Sequence, residues 1–279
     1  MKNKVKEILI FTLIIVYFYF IINNSTYIKE QVMFSINIWL TKIIPSLFPT
    51  FIIVDIIYNS NIPIYIEKYL KIDFIYLFSI ITGSPTNAFI LNKYNQDITK
   101  HLATTKYTSP IFTYTYLKTI FYKEIAIKIM IVNIISNIIL LFIIKPTKLK
   151  KITIKKTPFF TTLINSINKN FNTLITILGT IIFFNTLPIN LINNQYIKSA
   201  ILSILEITTS LNNLSLINIP SNIKLLFTII SLSTCGLCIE CQIKSIINDT
   251  HIIYKNYLIY RLIHLIIFLG LTIVIILLT

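Results

Sequence analysis

Long apolar runs constrain this chain more than any other feature in it. The clearest lie at 8–22, 125–144 and 257–278. A helix needs roughly 20 apolar residues to cross the hydrocarbon core of a bilayer. Composition points the same way. Of the 279 residues, 55% are hydrophobic and only 13% are charged, whereas an ordinary soluble domain carries roughly 25% charge. The length leaves room for six to eight membrane segments and no separate soluble domain. The sequence therefore predicts an all-α, polytopic membrane helix bundle. It forms a single integral domain over 1–279, multi-pass in the cell membrane, with the lipid bilayer as its first partner.

The formal charge is +15. On a soluble surface that would raise nucleic acid as a partner. Here the lysines fall between apolar runs, so their charge reads as topology and contact with anionic lipid, with no nucleic acid involved. Lys145, Lys148, Lys150, Lys151, Lys155 and Lys156 crowd one short stretch. The positive-inside rule places this loop, 145–158, in the cytoplasm. It joins two halves at about 1–144 and 159–279. Lys2, Lys4 and Lys6 precede the first apolar run, and Asn23, Asn24 and Ser25 do not make a small-residue cleavage site. The start of the chain thus reads as an uncleaved helix with a cytoplasmic N-terminus. An outer loop is expected at Lys29 and Glu30, a polar loop over 59–71, and a polar surface stretch over 93–107.

Several apolar segments are interrupted. Pro45 and Pro49 fall within 32–58, and each removes a backbone donor and crowds the preceding turn. A kink facing the protein interior is expected there, because lipid cannot satisfy the freed carbonyls. In 72–91 the centre reads Thr82-Gly83-Ser84-Pro85-Thr86-Asn87, which predicts a re-entrant hairpin or an unwound helix. The second half repeats the style. An amphipathic 159–172 precedes a span at 174–187, a polar stretch runs from Glu206 to Ser215, and Ser233-Thr234-Cys235-Gly236 interrupts 223–247. Paired interruptions in two halves point to a two-half repeat with a transport site.

The side chains hardest to place in lipid are Asp55, Glu206, Glu240 and Gln242. A charge at the centre of a membrane helix costs roughly 2.5–3.5 kcal/mol on insertion scales. Together with Thr208 and the glycine-bearing breaks they predict a substrate-binding set: Asp55, Gly83, Ser84, Pro85, Thr86, Asn87, Glu206, Thr208, Gly236, Glu240 and Gln242. Such a set suits a hydrogen-bonding solute, a cation or a proton. Cys235, Cys238 and Cys241 lack a fourth ligand for the usual clusters and read as packing residues. His101, His251 and His264 are scattered. No phosphate loop or nucleophile–histidine–carboxylate pattern occurs, so neither an enzyme nor a cofactor nor a metal site is predicted.

Five stretches in order resemble the YlbJ-like sporulation integral membrane proteins of the nucleoside-recognition, or Gate, superfamily. Pro45-Ser46-Leu47-Phe48-Pro49-Thr50-Phe51 is similar to the family's PSLFPFF, with Asp55 where a glutamate is usual. Thr82-Gly83-Ser84-Pro85-Thr86-Asn87-Ala88 resembles S-G-[FY]-P-x-G-A, and Thr108-Ser109-Pro110-Ile111-Phe112 resembles S-x-P-x-F. Leu205-Glu206-Ile207-Thr208-Thr209 resembles L-E-x-T-x-G, and the stretch from Cys235 to Gln242 resembles G-G-L-S-x-H-x-Q. Departures are Ser84 for an aromatic, Asn87 and Cys235 for glycines, and Glu240 for a histidine. The resemblance implies a role in spore cortex formation and a transporter-like pathway for a small solute or ion. The alternative is a non-transporting scaffold with spore-envelope proteins, or further copies of the chain, as partners.

Overall fold

The computed structural model describes residues 2–70, 74–94, 96–147, 149, 158–247 and 252–277. Among them there is no strand, and the fold is an all-α bundle. Helices α1 (Lys2–Asn23) and α2 (Ser25–Ile38) are separated only by Asn24. Lys29 and Glu30, expected in a loop, are therefore helical, because no glycine or proline stops α2. A π turn at Trp39–Ile43 leads into α3 (Ile44–Tyr58). Pro45 and Pro49 cannot donate to the carbonyls one turn back, and the widened turn absorbs the defect. The segments Ser25–Ile43 and Leu47–Tyr58 meet at 46°. The predicted kink is present, and just beyond it Phe51, Val54 and Asp55 are buried.

The polar stretch after α3 is mostly a helix, α4 (Ile62–Leu70), rather than a loop. Proline is tolerated in a first turn, so Pro63 does not prevent it. Next come α5 (Phe74–Thr82), α6 (Thr86–Leu91), α7 (Thr99–Thr105), α8 (Pro110–Ile120) and α9 (Lys123–Ile144). The second half holds α10 (Phe159–Asn185), a 3₁₀ turn (Pro188–Leu191), α11 (Gln195–Leu205) and α12 (Ile207–Leu216). It ends with α13 (Ser221–Thr234), α14 (Gly236–Ile246) and α15 (Tyr254–Leu277). Most of the basic loop lies outside the described residues, as does His251.

Among the described residues five helices are long and apolar enough to cross a membrane, or six if the bent α2–α3 pair is one span. Six to eight were expected, so five falls below that range and six meets its lower edge. The paired short helices cannot each reach across. The amphipathic and apolar stretches expected at 159–172 and 174–187 are one helix, α10. Its buried face runs Thr162, Ser166, Asn170, Leu174, Ile177, Ile181, Asn185, a helical period of three and four. This stripe packs on α2, α3 and α14. Outward-facing side chains such as Phe11, Tyr19, Phe142, Phe160 and Ile266 are large, apolar and exposed, as a lipid-facing surface requires.

Element order repeats between the halves. A broken pair (α5–α6, then α11–α12) precedes a broken helix (α7–α8, then α13–α14) and a span (α9, then α15). Contacts across the halves are reciprocal: α6 packs on α14, α8 packs on α12, and α9 packs on α15.

Candidate functional site: paired helix breaks joined by buried cations

Each half contains two breaks, and within each half they touch. Gly83, between α5 and α6, has φ +68°, and a Cβ there would lie 2.7 Å from the Tyr107 carbonyl oxygen. Tyr107 belongs to the extended stretch 106–109 between α7 and α8. The Ser84 amide donates to the same carbonyl at 2.8 Å, and the Tyr107 hydroxyl donates back to the Ile80 carbonyl. Gly236 has φ +79°, and a Cβ there would meet the Leu205 carbonyl oxygen at 2.9 Å. Leu205 adjoins the break between α11 and α12. Asn213 donates to Ser199 at 3.0 Å. These two residues stand seven positions either side of Glu206, so α12 folds back along α11. Close backbone crossing explains both glycines, since no side chain fits at either point.

The expected binding residues fall into three groups. In the first-half hairpin, Pro85 follows a cis bond, Thr86 is buried, and the Asn87 amide donates to the Thr105 hydroxyl at 3.0 Å. The Ser84 hydroxyl oxygen is buried without a partner among the described residues. Asp55 pairs with Lys93 and accepts from Ser166 at 2.8 Å and Asn170 at 3.0 Å. Lys93 also sits over the rings of Phe89 and Tyr58. One end of the α10 stripe is thus polar because it must meet a buried carboxylate.

Glu206 is spent differently. It is 3% exposed, and its carboxylate accepts from the Thr208 amide at 3.1 Å and the Thr209 amide at 2.5 Å. It caps the N-terminus of α12, where orphan amides and the positive end of the helix dipole favour a carboxylate. The Thr209 hydroxyl donates to Asn185 at 2.6 Å, and Asn185 donates to Ser35 at 2.9 Å, linking the break to α10 and α2. Gln242 donates to Thr180 at 3.2 Å and to the Cys238 sulfur at 3.3 Å. Cys238 is buried and Cys241 exposed. Among the described residues no group of His, Cys, Asp and Glu could hold a metal.

Glu240 belongs to the third group, and its partner corrects an expectation. Most of the stretch 93–107 is not at the surface, although Asp97 is exposed. Residues 98 and 99 and 101–108 are buried, and Lys106 is only 1% exposed. Lys106 leaves the end of α7 and crosses into the second half. There it pairs with Glu240, donates to the Thr234 carbonyl at 2.7 Å and lies 5.6 Å from the centre of the Tyr257 ring. The Tyr257 hydroxyl donates to the same Glu240 oxygen at 3.0 Å. The other Glu240 oxygen is buried and unpartnered among the described residues. The stretch looked like surface because its side chains are polar, but they serve backbone groups left open by a broken helix.

Arg261, the single arginine of the chain, completes the centre from α15. It donates to the Ala103 carbonyl at 2.9 Å, to Asn137 at 3.3 Å, to the Ser233 carbonyl at 2.6 Å and to His264 Nδ1 at 3.1 Å. A guanidinium has only donors. Nδ1 of His264 therefore accepts, the Ser233 hydroxyl at 2.8 Å donates to it, and the ring proton sits on Nε2. One arginine thus joins the C-terminal ends of α7 and α13. Sequence reasoning missed Lys106 and Arg261 as site residues. The sole arginine inside an apolar run of about twenty residues was the available signal, since a charge there needs buried partners. Lys106 carried no comparable signal.

Searches against protein-family models, curated proteins and solved structures each found no match.

Proposed function

We propose that this membrane-spanning chain forms a pathway for a small solute or ion, and that it serves spore cortex formation as a protein of the nucleoside-recognition Gate type. One observation carries the transport part: the breaks touch in pairs and are bridged across the halves by Lys106 and Arg261. Discontinuous helices meeting at the interface of two repeats are the common way to build a solute site inside a bilayer. The sporulation part rests on the ordered resemblance of the five stretches.

Uptake by the full chain in proteoliposomes tests the pathway. Nucleosides, sugars and small inorganic ions are offered, with Glu240→Gln and Gln242→Ala as variants. Uptake of at least one solute, lowered about tenfold or more in Glu240→Gln, is expected. The absence of uptake for every solute overturns the pathway, and unchanged uptake in both variants removes these residues from the site.

A second reading, a scaffold for spore-envelope proteins, is favoured by the saturation of Asp55 and Glu206 with internal partners. An endospore-forming host separates the two. A Glu240→Gln strain with wild-type levels of protein and of heat-resistant spores favours the scaffold, whereas a loss of spores with protein retained favours the pathway.

A further inference from the structure

We infer that Lys106 is a tethered cation, whose ammonium takes the place that a mobile monovalent cation would occupy between the two broken helices. The inference deepens the transport reading and rests on it: the pathway operates without a coupling sodium or potassium ion.

The ends of α7 and α13 converge on oxygen. A helix C-terminus leaves about four carbonyls without partners in the helix and carries about half a negative charge. Inside a membrane protein such ends, with unwound carbonyls beside them, are the usual ligands of a sodium ion or proton. The ligand set here has the right chemistry for a hard cation: the carbonyls of Ala103, Ser233 and Thr234, and the carboxylate of Glu240.

Every one of the last four carbonyls of α13 is already taken. Ser231 accepts from the Cys235 amide at 2.9 Å and Leu232 from the Cys235 thiol at 3.4 Å. Ser233 accepts from Arg261 and Thr234 from Lys106. Lys106 and Arg261 bring two positive charges to this cluster, where they meet the carboxylate of Glu240 and the negative ends of α7 and α13. Lys106 does more than fill space, because its ammonium is shared between a freed carbonyl and the one carboxylate of the centre.

The purified full chain in detergent is heated in sodium chloride, potassium chloride or choline chloride at one ionic strength. The wild-type midpoint is expected to be the same in all three, with no saturable binding of sodium or potassium by calorimetry. This arm needs no variant, and a midpoint raised by sodium or potassium over choline overturns the inference. Lys106→Ala should unfold several degrees lower in choline and recover with sodium, potassium or ethylammonium. A variant that matches the wild type in choline and ignores all three cations overturns it as well. Should Lys106→Ala not fold, Lys106→Met paired with Glu240→Gln removes both charges. That variant is expected to fold and to ignore cations, and a sodium response in it contradicts the assignment.

These readouts are stability and binding, so they stand whether or not uptake is seen. Uptake that persists when choline replaces sodium and potassium supports both readings. Uptake that requires either ion leaves the pathway intact and overturns the tethered cation.

Discussion

The two crossings, Gly83 on Tyr107 and Gly236 on Leu205, solve one problem with opposite charges. In the first half the broken helix opens over four residues, 106–109, and contributes a lysine. In the second half it opens at Cys235 alone, a left-handed residue at φ 57°, and carboxylates stand nearby at Glu206 and Glu240. The first crossing exports its cation to the second, where Thr234 and Glu240 receive it. Neither half is electrically complete by itself. Charge complementarity between buried groups fixes which surfaces meet, because a wrong pairing leaves a charge unpaired at a cost of several kcal/mol.

Removing Arg261 should break this comparison most severely, since it serves both crossings at once. Arg261→Leu leaves the buried carbonyls of Ala103 and Ser233 without donors, at about 1–3 kcal/mol for each. A large fall in the unfolding midpoint in detergent, or failure to accumulate in the membrane, is the expected result. A stable variant would mean that the ends of α7 and α13 do not depend on it.

Gly83→Ala and Gly236→Ala come next. Each puts a non-glycine residue at positive φ, which costs about 1–2 kcal/mol, and each drives a methyl into backbone. Gly83→Ala should be the worse of the two, because its contact at 2.7 Å is shorter than the 2.9 Å at Gly236. Ranking the two midpoints checks whether the crossings are equally tight. Glu206→Ala removes the α12 cap and should cost about 0.5–2 kcal/mol, with hydrogen exchange of the Thr208 and Thr209 amides rising before the rest of the bundle. Cys235→Gly should have the smallest effect. Relief of the left-handed cysteine offsets the loss of its thiol contact, so the unfolding free energy should stay within about 1 kcal/mol of wild type.

Much of the fold was legible because it depends on local pattern. Period and length reveal α1, α9 and α15, and the prolines and glycines mark three of the breaks. What the pattern could not reveal was the use of polar residues. Stretches 59–71 and 93–107 have similar polarity, yet the first is mostly an exposed helix and the second is buried throughout 101–107. Polarity alone does not distinguish a side chain that meets water from one that meets a broken helix. Asp55 and Glu206 were recognisable as misfits in lipid, but their partners Lys93, Ser166 and Asn170, and the amides of α12, come from other elements or from the helix start itself.

By itself the sequence determined a membrane-spanning helical protein with interrupted segments, because apolar length and helix breakers act over a few residues. Tertiary structure alone decided that Gly83 faces Tyr107, that Gly236 faces Leu205, and that Lys106 and Arg261 close the ends of α7 and α13. Those groups are separated by up to 158 positions along the chain. Only the packing of one half against the other brings Arg261 to the Ala103 carbonyl and Lys106 to the Thr234 carbonyl, in a medium that offers no water to do so.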